Sequence, residues 1–160
     1  MPAGVGGLAP SYGGWKFHVM NTLRHLVPRR IRAPFARYSH AIEVPAAARW
    51  LLCSGQLGIS ASDQIPESAE AQAVLCFEAI GACLAEARMS FADIVRISAY
   101  VIDRAHMASY MVVRDRYVAL PPPASTLMIV SGFTRPEFKV EVEAIAAKAG
   151  DDIPTSADIG

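Results

Sequence analysis

The stretch DIVRISAYVIDRAHMASYMVVRDRYVALPPPASTLMIV, residues 93–130, decides the fold because it predicts a strand, a helix and a second strand in direct succession. Apolar and polar residues alternate over residues 95–101, which is the two-residue period of a strand. Asp103 can cap the helix that follows, in which Met107, Tyr110, Met111, Arg114 and Val118 are spaced for one side. Three prolines at 121–123 end this helix, and residues 126–130 form a β-branched and apolar strand.

The flanking sequence adds one helix and further strands. Residues 41–44 and 49–54 predict two short strands joined by a turn, and residues 139–146 alternate like a strand. Apolar residues recur at spacings of three and four over residues 67–88, which predicts an amphipathic helix. The order predicts an α+β fold with both helices on one face of a mixed sheet. The second face would then be exposed unless another copy covers it, so we expect a homo-oligomer.

The length of 160 residues fits one domain with an appendage at each end. Residues 1–30 are Gly- and Pro-rich at their start and predict a disordered or weakly helical appendage, with a short helix possible over residues 15–26. Residues 31–150 form the predicted domain, and residues 151–160 a polar tail. Residues 1–37 hold six basic residues and no acid, whereas the remainder holds nine basic and fifteen acidic residues. The acidic body argues against a nucleic-acid surface.

The three cysteines, Cys53, Cys76 and Cys83, are odd in number and lack metal-ligand spacing. They predict buried thiols in a reducing compartment rather than a disulfide framework or a metal site, and hence a cytoplasmic location. No apolar run is long enough to span a membrane.

Six short segments follow one another between residues 37 and 147: Tyr38-Ser39-His40-Ala41, Ser54-Gly55-Gln56, Ala71-Gln72, Asp93-Ile94-Val95, Pro123-Ala124-Ser125-Thr126 and Val140-Glu141-Val142-Glu143-Ala144-Ile145-Ala146. In this order and at these intervals they resemble the RidA/YjgF family, also known as L-PSP endoribonuclease or translation inhibitor. The resemblance implies a chorismate-mutase-like fold, with a mixed six-stranded sheet packed by two helices, in a homotrimer with clefts between neighbouring subunits. It also implies hydrolysis of enamines or imines to a carbonyl compound and ammonia, without a metal or organic cofactor.

The resemblance assigns roles to individual residues. Glu141 matches the family glutamate that would carry a proton to and from the attacking water. Tyr38 and Ser54 match the residues that line the pocket and bind the substrate, and Gly55 would allow close approach to the ligand. Without the flanking motifs, each of these residues would be interpreted as an ordinary strand or turn residue. His40 lies beside them and is interpreted as a structural histidine, with proton transfer as the less favoured alternative.

The sequence departs from the family pattern where a carboxylate would be bound. The family arginine of the Ala-Arg-Ser segment is Ser125 here, followed by Thr126, and the usual asparagine of the second helix is replaced by Met111. A serine cannot form the bidentate pair that a guanidinium forms with a carboxylate. Either another arginine substitutes, Arg114 or Arg135, or the substrate is not the usual small 2-imino acid. The second interpretation is favoured because two motifs are similar to those of 2-aminomuconate deaminase-like members.

Two other functions stay open. Loss of the family arginine and asparagine also suits a non-catalytic module that binds a small ligand and regulates. The ribonuclease or translation-inhibitor role is the least favoured, because the body is acidic and lacks a basic stripe. We therefore expect a small-molecule ligand and other copies of the chain as partners, and neither nucleic acid nor membrane.

Overall fold

A computed structural model describes residues 22–149 of the chain. It contains six strands, two α-helices and a short 3-10 turn at Phe91–Asp93. The elements in chain order are β1 Arg24–Leu26, β2 Ala41–Glu43, β3 Arg49–Leu57, α1 Ala69–Glu86, β4 Ile94–Val101, α2 His106–Tyr117, β5 Ala124–Ile129 and β6 Val140–Lys148. The helix predicted over residues 67–88 and the strands predicted around residues 95–101 and 139–146 are thus confirmed to within two or three residues.

The main sheet has the strand order β3-β6-β4-β5 and is mixed. β4 pairs parallel with β5 and antiparallel with β6, which also pairs antiparallel with β3. α2 connects the two parallel strands, which need a long crossover. Both helices cover one face of this sheet, so the α+β arrangement is confirmed, and alternate residues of β4 and β6 are buried beneath them.

The core lies between the two helices and the sheet. Phe77 of α1 stacks on two rings of α2, that of Tyr117 at 5.0 Å and that of Tyr110 at 6.2 Å between ring centroids. Ile97 and Val142 close the core from the sheet and are fully buried. Each such side chain contributes about 1.5–3 kcal/mol by leaving water, so this layer fixes where α2 lies on the sheet.

The predicted single six-stranded sheet is divided in the structure. β1 and β2 form a separate antiparallel pair, joined to the main sheet by one parallel bridge between Ser39 and Ala124. The C-terminal end of the helix considered over residues 15–26 is also wrong, because Arg24–Leu26 is a strand. The physical reason is a tertiary contact: His25 Nδ1 lies 2.9 Å from the carbonyl oxygen of Pro122. Residues 22 and 23 are not helical either, whereas residues 1–21, which include the start of that helix, and the polar tail lie outside the described residues.

The face of the sheet opposite the helices carries large exposed apolar side chains. Trp50 and Leu52 of β3 are 53% and 71% exposed, and Met128 of β5 is 50% exposed. Along β3 they alternate with Leu51 and Cys53, which are partly buried against the core, as a strand requires. A sheet face of this composition is typical of a surface that another protein chain covers. Neither helix among residues 22–149 is long and apolar enough to cross a membrane.

Candidate functional site

A cavity of about 160 Å³ opens between α2, β5 and the segment that leads into β2. Three residues of α2 reach it because positions three and four apart share one face of a helix. Two residues of β5 reach it because alternate residues share one face of a sheet. We call it the α2 cavity; its lining residues are Phe35, Ala36, Tyr38, Met107, Met111, Arg114, Ser125 and Leu127.

Tyr38 is held at the α2 cavity by the residue that follows it. The backbone N–H of Ser39 donates to the carbonyl oxygen of Pro123 at 2.9 Å, and its hydroxyl donates to that of Pro122 at 2.6 Å. Ser39 is buried, so these bonds fix the start of β2 against β5. The rings of Tyr38 and Phe35 pack edge to face at 5.7 Å between centroids. The tyrosine is therefore positioned by backbone bonds and by an aromatic contact.

Arg114 is the charged residue that lines the α2 cavity, and only 4% of it is exposed. Its Nε and Nη2 atoms both donate to Oδ1 of Asp115, at 2.9 and 2.7 Å. The backbone carbonyl of Asp115 accepts a further bond from Arg37 at 2.9 Å. A buried charge needs such a partner, since an unpaired one would cost several kcal/mol. The guanidinium is thus fixed in one orientation beside the cavity.

Glu141 lies at a second, more open cavity of about 540 Å³, lined by Leu57, Gly132, Phe133, Thr134 and Glu141 itself. We call it the Glu141 cavity. The pairing of β3 with β6 is irregular between Cys53 and Gln56, and Gly55 lies in this irregularity. A β-carbon at Gly55 would come within 1.7 Å of Glu141 Oε1, so the glycine is required for the carboxyl group to lie there. The close approach expected at Gly55 is thus made by a side chain of the same protein.

The ionised form of Glu141 is less stable, relative to its protonated form, than that of an exposed glutamate. Partial burial, and then the nearby carboxyl group of Glu143, raise the pKa of Glu141. Tyr100 donates a hydrogen bond to Glu143 at 3.1 Å, and this bond raises the pKa of Tyr100. A carboxyl group with a raised pKa exchanges its proton closer to neutral pH, which suits proton transfer to and from a substrate or water.

Gln72 fixes the start of β6, on which Glu141 lies. It is fully buried at the start of α1, and its amide group bonds three backbone positions. Nε2 donates to the carbonyl oxygens of Pro66 and Glu137 at 2.8 Å each, and Oε1 accepts from the N–H of Lys139 at 2.7 Å. The glutamine of the Ala71-Gln72 motif therefore joins α1 to the chain two residues before Glu141.

The two cavities are separate within one chain. Ser125 of β5 pairs with Ile97 of β4, which in turn pairs with Ala144 of β6. Glu141 lies three residues before Ala144 on β6, where it pairs with Tyr100 of β4. Ser125 and Glu141 are therefore about 10 Å apart along the strands and about 10 Å apart across them. They also face opposite sides of the sheet. The structure brings Tyr38, Met111, Arg114 and Ser125 together, and Gly55 and Glu141 together, but it does not join the two groups.

The remaining predicted residues lie elsewhere. Ser54 is exposed in the irregular part of β3. Thr126 lies on the opposite face of β5 from Ser125, where its hydroxyl accepts from Arg96 at 3.0 Å. Arg135 lies 3.8 Å from Asp63 and stacks over Phe138, and it lines neither cavity. His40 is bonded to the carbonyl oxygen of Arg32 at 2.8 Å and contacts the ring of Tyr38.

Sequence reasoning missed part of the α2 cavity. Met107 lines it one helical turn before Met111, a spacing that could have identified it. Leu127 follows Ser125 by two residues and shares its face of the strand. Phe35 and Ala36 gave no such signal, because they belong to an irregular segment whose position depends on contacts distant in sequence.

The described residues hold no group of three or more His, Cys, Asp or Glu side chains that could bind a metal ion. The three cysteines have free thiols. Burial raises the pKa of the Cys76 thiol to about 12, so this thiol stays protonated and unreactive at physiological pH.

The fold and the two cavities define an α+β protein in which two helices cover one face of a mixed sheet, with one cavity beside β5 and another beside β6. The sequence profile of the endoribonuclease L-PSP family matches residues 29–148. The chain belongs to this family, which is the RidA/YjgF family that the motifs predict.

Solved structures agree with this assignment. The chain is similar to YyfB of Yersinia pestis, a protein of unknown function in the Rid family, with 26% identity, a TM-score of 0.68, and 79% of this chain and 98% of that chain covered. It is similar to RidA of an Antarctic Psychrobacter, with 27% identity, a TM-score of 0.58, and 77% and 98% covered. It is also similar to YEO7 of yeast, with 26% identity, a TM-score of 0.59, and 79% and 99% covered. No curated protein matches the chain.

Proposed function

We propose that the protein is an enamine/imine deaminase, which hydrolyses a reactive C=N compound to a carbonyl compound and ammonia. The observation that carries this proposal is the position of Glu141, whose carboxyl group lies on Gly55 at an open cavity and has a raised pKa. Such a group is suited to take a proton from water and to return it later in the same reaction. The chemistry calls for no metal or organic cofactor.

The proposed reaction has two steps, and an enamine enters it after protonation at carbon gives the imine. In the first step, Glu141 takes a proton from water, the water oxygen bonds to the imine carbon, and the nitrogen receives the proton. In the second step, the nitrogen of this carbinolamine takes up a further proton and leaves as ammonia. The hydroxyl group loses its proton as the C=O bond forms. One imine and one water give one carbonyl compound and one ammonia.

We place the reaction in a cleft between copies of the chain in a homotrimer. Within one chain, the α2 cavity measures about 160 Å³, below the roughly 300–1,000 Å³ of a complete small-ligand pocket. A second copy that brings its Glu141 to the α2 cavity would complete the site. The exposed apolar face around Trp50 and Leu52 supports such an assembly, because water-exposed residues of this size favour burial.

The proposed substrate is larger than the usual small 2-imino acid. Ser125 stands in place of the family arginine, and the walls of the α2 cavity include Phe35, Met107, Met111 and Leu127. An enamine such as 2-aminomuconate, which the motif resemblance suggests, is one candidate of this size. The proposed partners are thus a small molecule and other copies of the chain.

A second candidate function is ligand binding without turnover. The observation in its favour is that Glu141 does not line the cavity that holds Tyr38 and Arg114. This function predicts saturable binding of a small organic compound, seen as a rise in melting temperature, without release of ammonia.

The test measures ammonia and carbonyl release from imines generated in place by an amino-acid oxidase, and from 2-aminomuconate. We expect acceleration by the wild type and a loss of about 100-fold or more in Glu141→Gln, the usual scale for a general base. Glu78→Gln, which changes an exposed glutamate of α1, is the matched control and should behave as wild type. Equal rates in Glu141→Gln and wild type would contradict the proposal, as would no acceleration of any imine.

A further inference from the structure

Cys53 and Cys83 line neither the α2 cavity nor the Glu141 cavity, and both are partly accessible to solvent. Cys53 lies on β3 with its side chain toward the helices, where it packs against the core. Cys83 lies in the last turn of α1. Whether the two thiols can react with each other depends on how α1 lies along β3.

The helix α1 runs antiparallel to β3 and is fixed to it at both ends. Directly after β3, a β-carbon at Gly58 would come within 2.3 Å of the β-carbon of Gln72, so the backbone there touches the first turn of α1. At the other end of β3, Nη1 and Nη2 of Arg49 both donate to the carbonyl oxygen of Ala87, the residue after α1, at 3.2 Å each. The helix therefore passes along the strand in the opposite direction.

These contacts place Cys53 and Cys83 at the same level of the α1–β3 contact. Cys53 precedes Gly58 by five residues, about 17 Å along a strand, and Cys83 follows Gln72 by eleven residues, about 17 Å along a helix. Eleven residues are close to three full helical turns, so Cys83 projects from the same edge of α1 as Gln72. Cys83 therefore faces β3 opposite Cys53.

The thiol of Cys53 senses that of Cys83. Burial, and then the neighbouring thiol of Cys83, raise the pKa of Cys53. Cys53 therefore holds its proton more firmly than an ordinary cysteine and is the second of the two thiols to react. Cys76 is directed elsewhere, because its buried thiol donates to the carbonyl oxygen of Val140 at 3.8 Å.

We propose that Cys53 and Cys83 are a site of reversible oxidation, at which a small-molecule disulfide such as oxidised glutathione converts the two thiols to a disulfide between β3 and α1. The thiolate of Cys83 bonds to one sulfur of oxidised glutathione; the other sulfur leaves with the electron pair of the broken S–S bond and takes up a proton. The thiolate of Cys53 then bonds to the sulfur of Cys83 and displaces the second glutathione in the same way. Two protein thiols and one oxidised glutathione give one protein disulfide and two glutathione thiols, and two electrons pass to glutathione.

The disulfide joins the end of the regular part of β3 to the last turn of α1. Cys53 pairs with Ala144, and the irregular pairing that contains Gly55 begins directly after it. The bond closes a loop over residues 54–82, which restricts the unfolded chain and should stabilise the folded one. In a reducing compartment the pair stays as thiols until an oxidant accumulates. Neither thiol takes part in the proposed deaminase reaction, so this site does not depend on that function.

The experiment incubates the full-length protein with excess oxidised glutathione, blocks the remaining thiols with N-ethylmaleimide in denaturant and maps the products by mass spectrometry. We expect a disulfide within the chain between the peptides that hold Cys53 and Cys83, a blocked thiol at Cys76, and full reversal by dithiothreitol. The oxidised protein should melt about 5 °C or more above the reduced protein. Glutathione adducts without a disulfide within the chain, a disulfide to Cys76 or an unchanged melting temperature would overturn the proposal.

Variants separate this pair from a general reactivity of the thiols. Cys53→Ser lacks the second thiol, so Cys83 should stay in the mixed disulfide with glutathione and the melting temperature should not rise. Cys83→Ser should form no disulfide within the chain. Cys76→Ala is the matched control and should form the same disulfide as wild type to the same extent. A disulfide within the chain in Cys53→Ser, or its loss in Cys76→Ala, would contradict the pairing.

Discussion

The carboxyl group of Glu141 lies directly against the α-carbon of Gly55, in the space that any β-carbon at residue 55 would fill. Residue 55 belongs to β3 and residue 141 to β6, so the irregular pairing of these strands and the position of the glutamate depend on each other. This contact explains why the Ser-Gly-Gln and Val-Glu-Val-Glu motifs occur together in one chain.

Gly55→Ala should displace Glu141 and remove most of the deaminase activity. We also expect a modest loss, about 1 kcal/mol, in the free energy of unfolding, because the carboxyl group at the end of a flexible side chain must move away from the added methyl group. Urea denaturation measures this loss. In a Glu141→Ala background the space is empty, so the same substitution should cost little. An equal cost in both backgrounds would contradict the contact.

The raised pKa of Glu141 predicts how rate and stability depend on pH. The rate should rise with pH as Glu141 ionises, with a midpoint above that of an ordinary glutamate. Glu143→Gln removes the nearby carboxylate and should move this midpoint to lower pH. The pKa of Glu141 is higher in the folded than in the unfolded state. Its contribution to the free energy of unfolding should therefore fall as pH rises from the unfolded-state pKa to the folded-state pKa. The stability of Glu141→Gln should not show this pH-dependent fall. If the pH midpoint of the rate does not move in Glu143→Gln, Glu141 is not the group whose ionisation controls the rate.

Gln72→Ala should destabilise the fold by about 2–4 kcal/mol, since three backbone groups lose their partner and a fully buried side chain is truncated. Urea denaturation followed by circular dichroism measures this loss. Gln64→Ala, at an exposed glutamine, is the control and should change stability by less than about 0.5 kcal/mol. A loss in Gln72→Ala as small as in the control would show that Gln72 does not hold the start of β6.

The exposed face of the sheet should be the surface that joins copies of the chain. Leu52→Glu places a charge on this face and should reduce the molar mass seen by light scattering, together with the activity. Val112→Glu, which is 55% exposed on the helix side, should leave both unchanged. An unaltered assembly in Leu52→Glu would exclude this face as the interface.

Much of the fold could be predicted because local periodicity and burial agree. The alternation in β4 and β6 and the helical spacing in α1 follow directly from which side chains the core buries. Arg24–Leu26 could not be predicted, since this strand depends on pairing with β2 and on a contact to Pro122. Local propensity carries no information about such partners.

The candidate site was predictable as a set of residues but not as a geometry. The sequence named both Arg114 and Arg135 as substitutes for the family arginine, and only the packing of α2 on β5 distinguishes them. Ser125 and Thr126 are neighbours in sequence, yet the pleat of β5 directs them to opposite faces. That Glu141 and Ser125 lie in different cavities follows from the strand order, which no local pattern reports.

The central claim, a deaminase cleft completed by a second copy, is tested most directly by mixing two inactive variants. Ser125→Phe fills the α2 cavity, and Glu141→Gln removes the proposed base. In a mixed trimer, a cleft can therefore combine the intact α2 cavity of a Glu141→Gln subunit with the intact Glu141 of a Ser125→Phe subunit. After subunit exchange, verified by native mass spectrometry, an equal mixture should regain about a quarter of the wild-type activity. In a mixture of Glu141→Gln with Gly55→Ala, both variants lack a correctly placed Glu141, so this mixture should regain no activity. Absence of recovery in the first mixture despite exchange would contradict the claim.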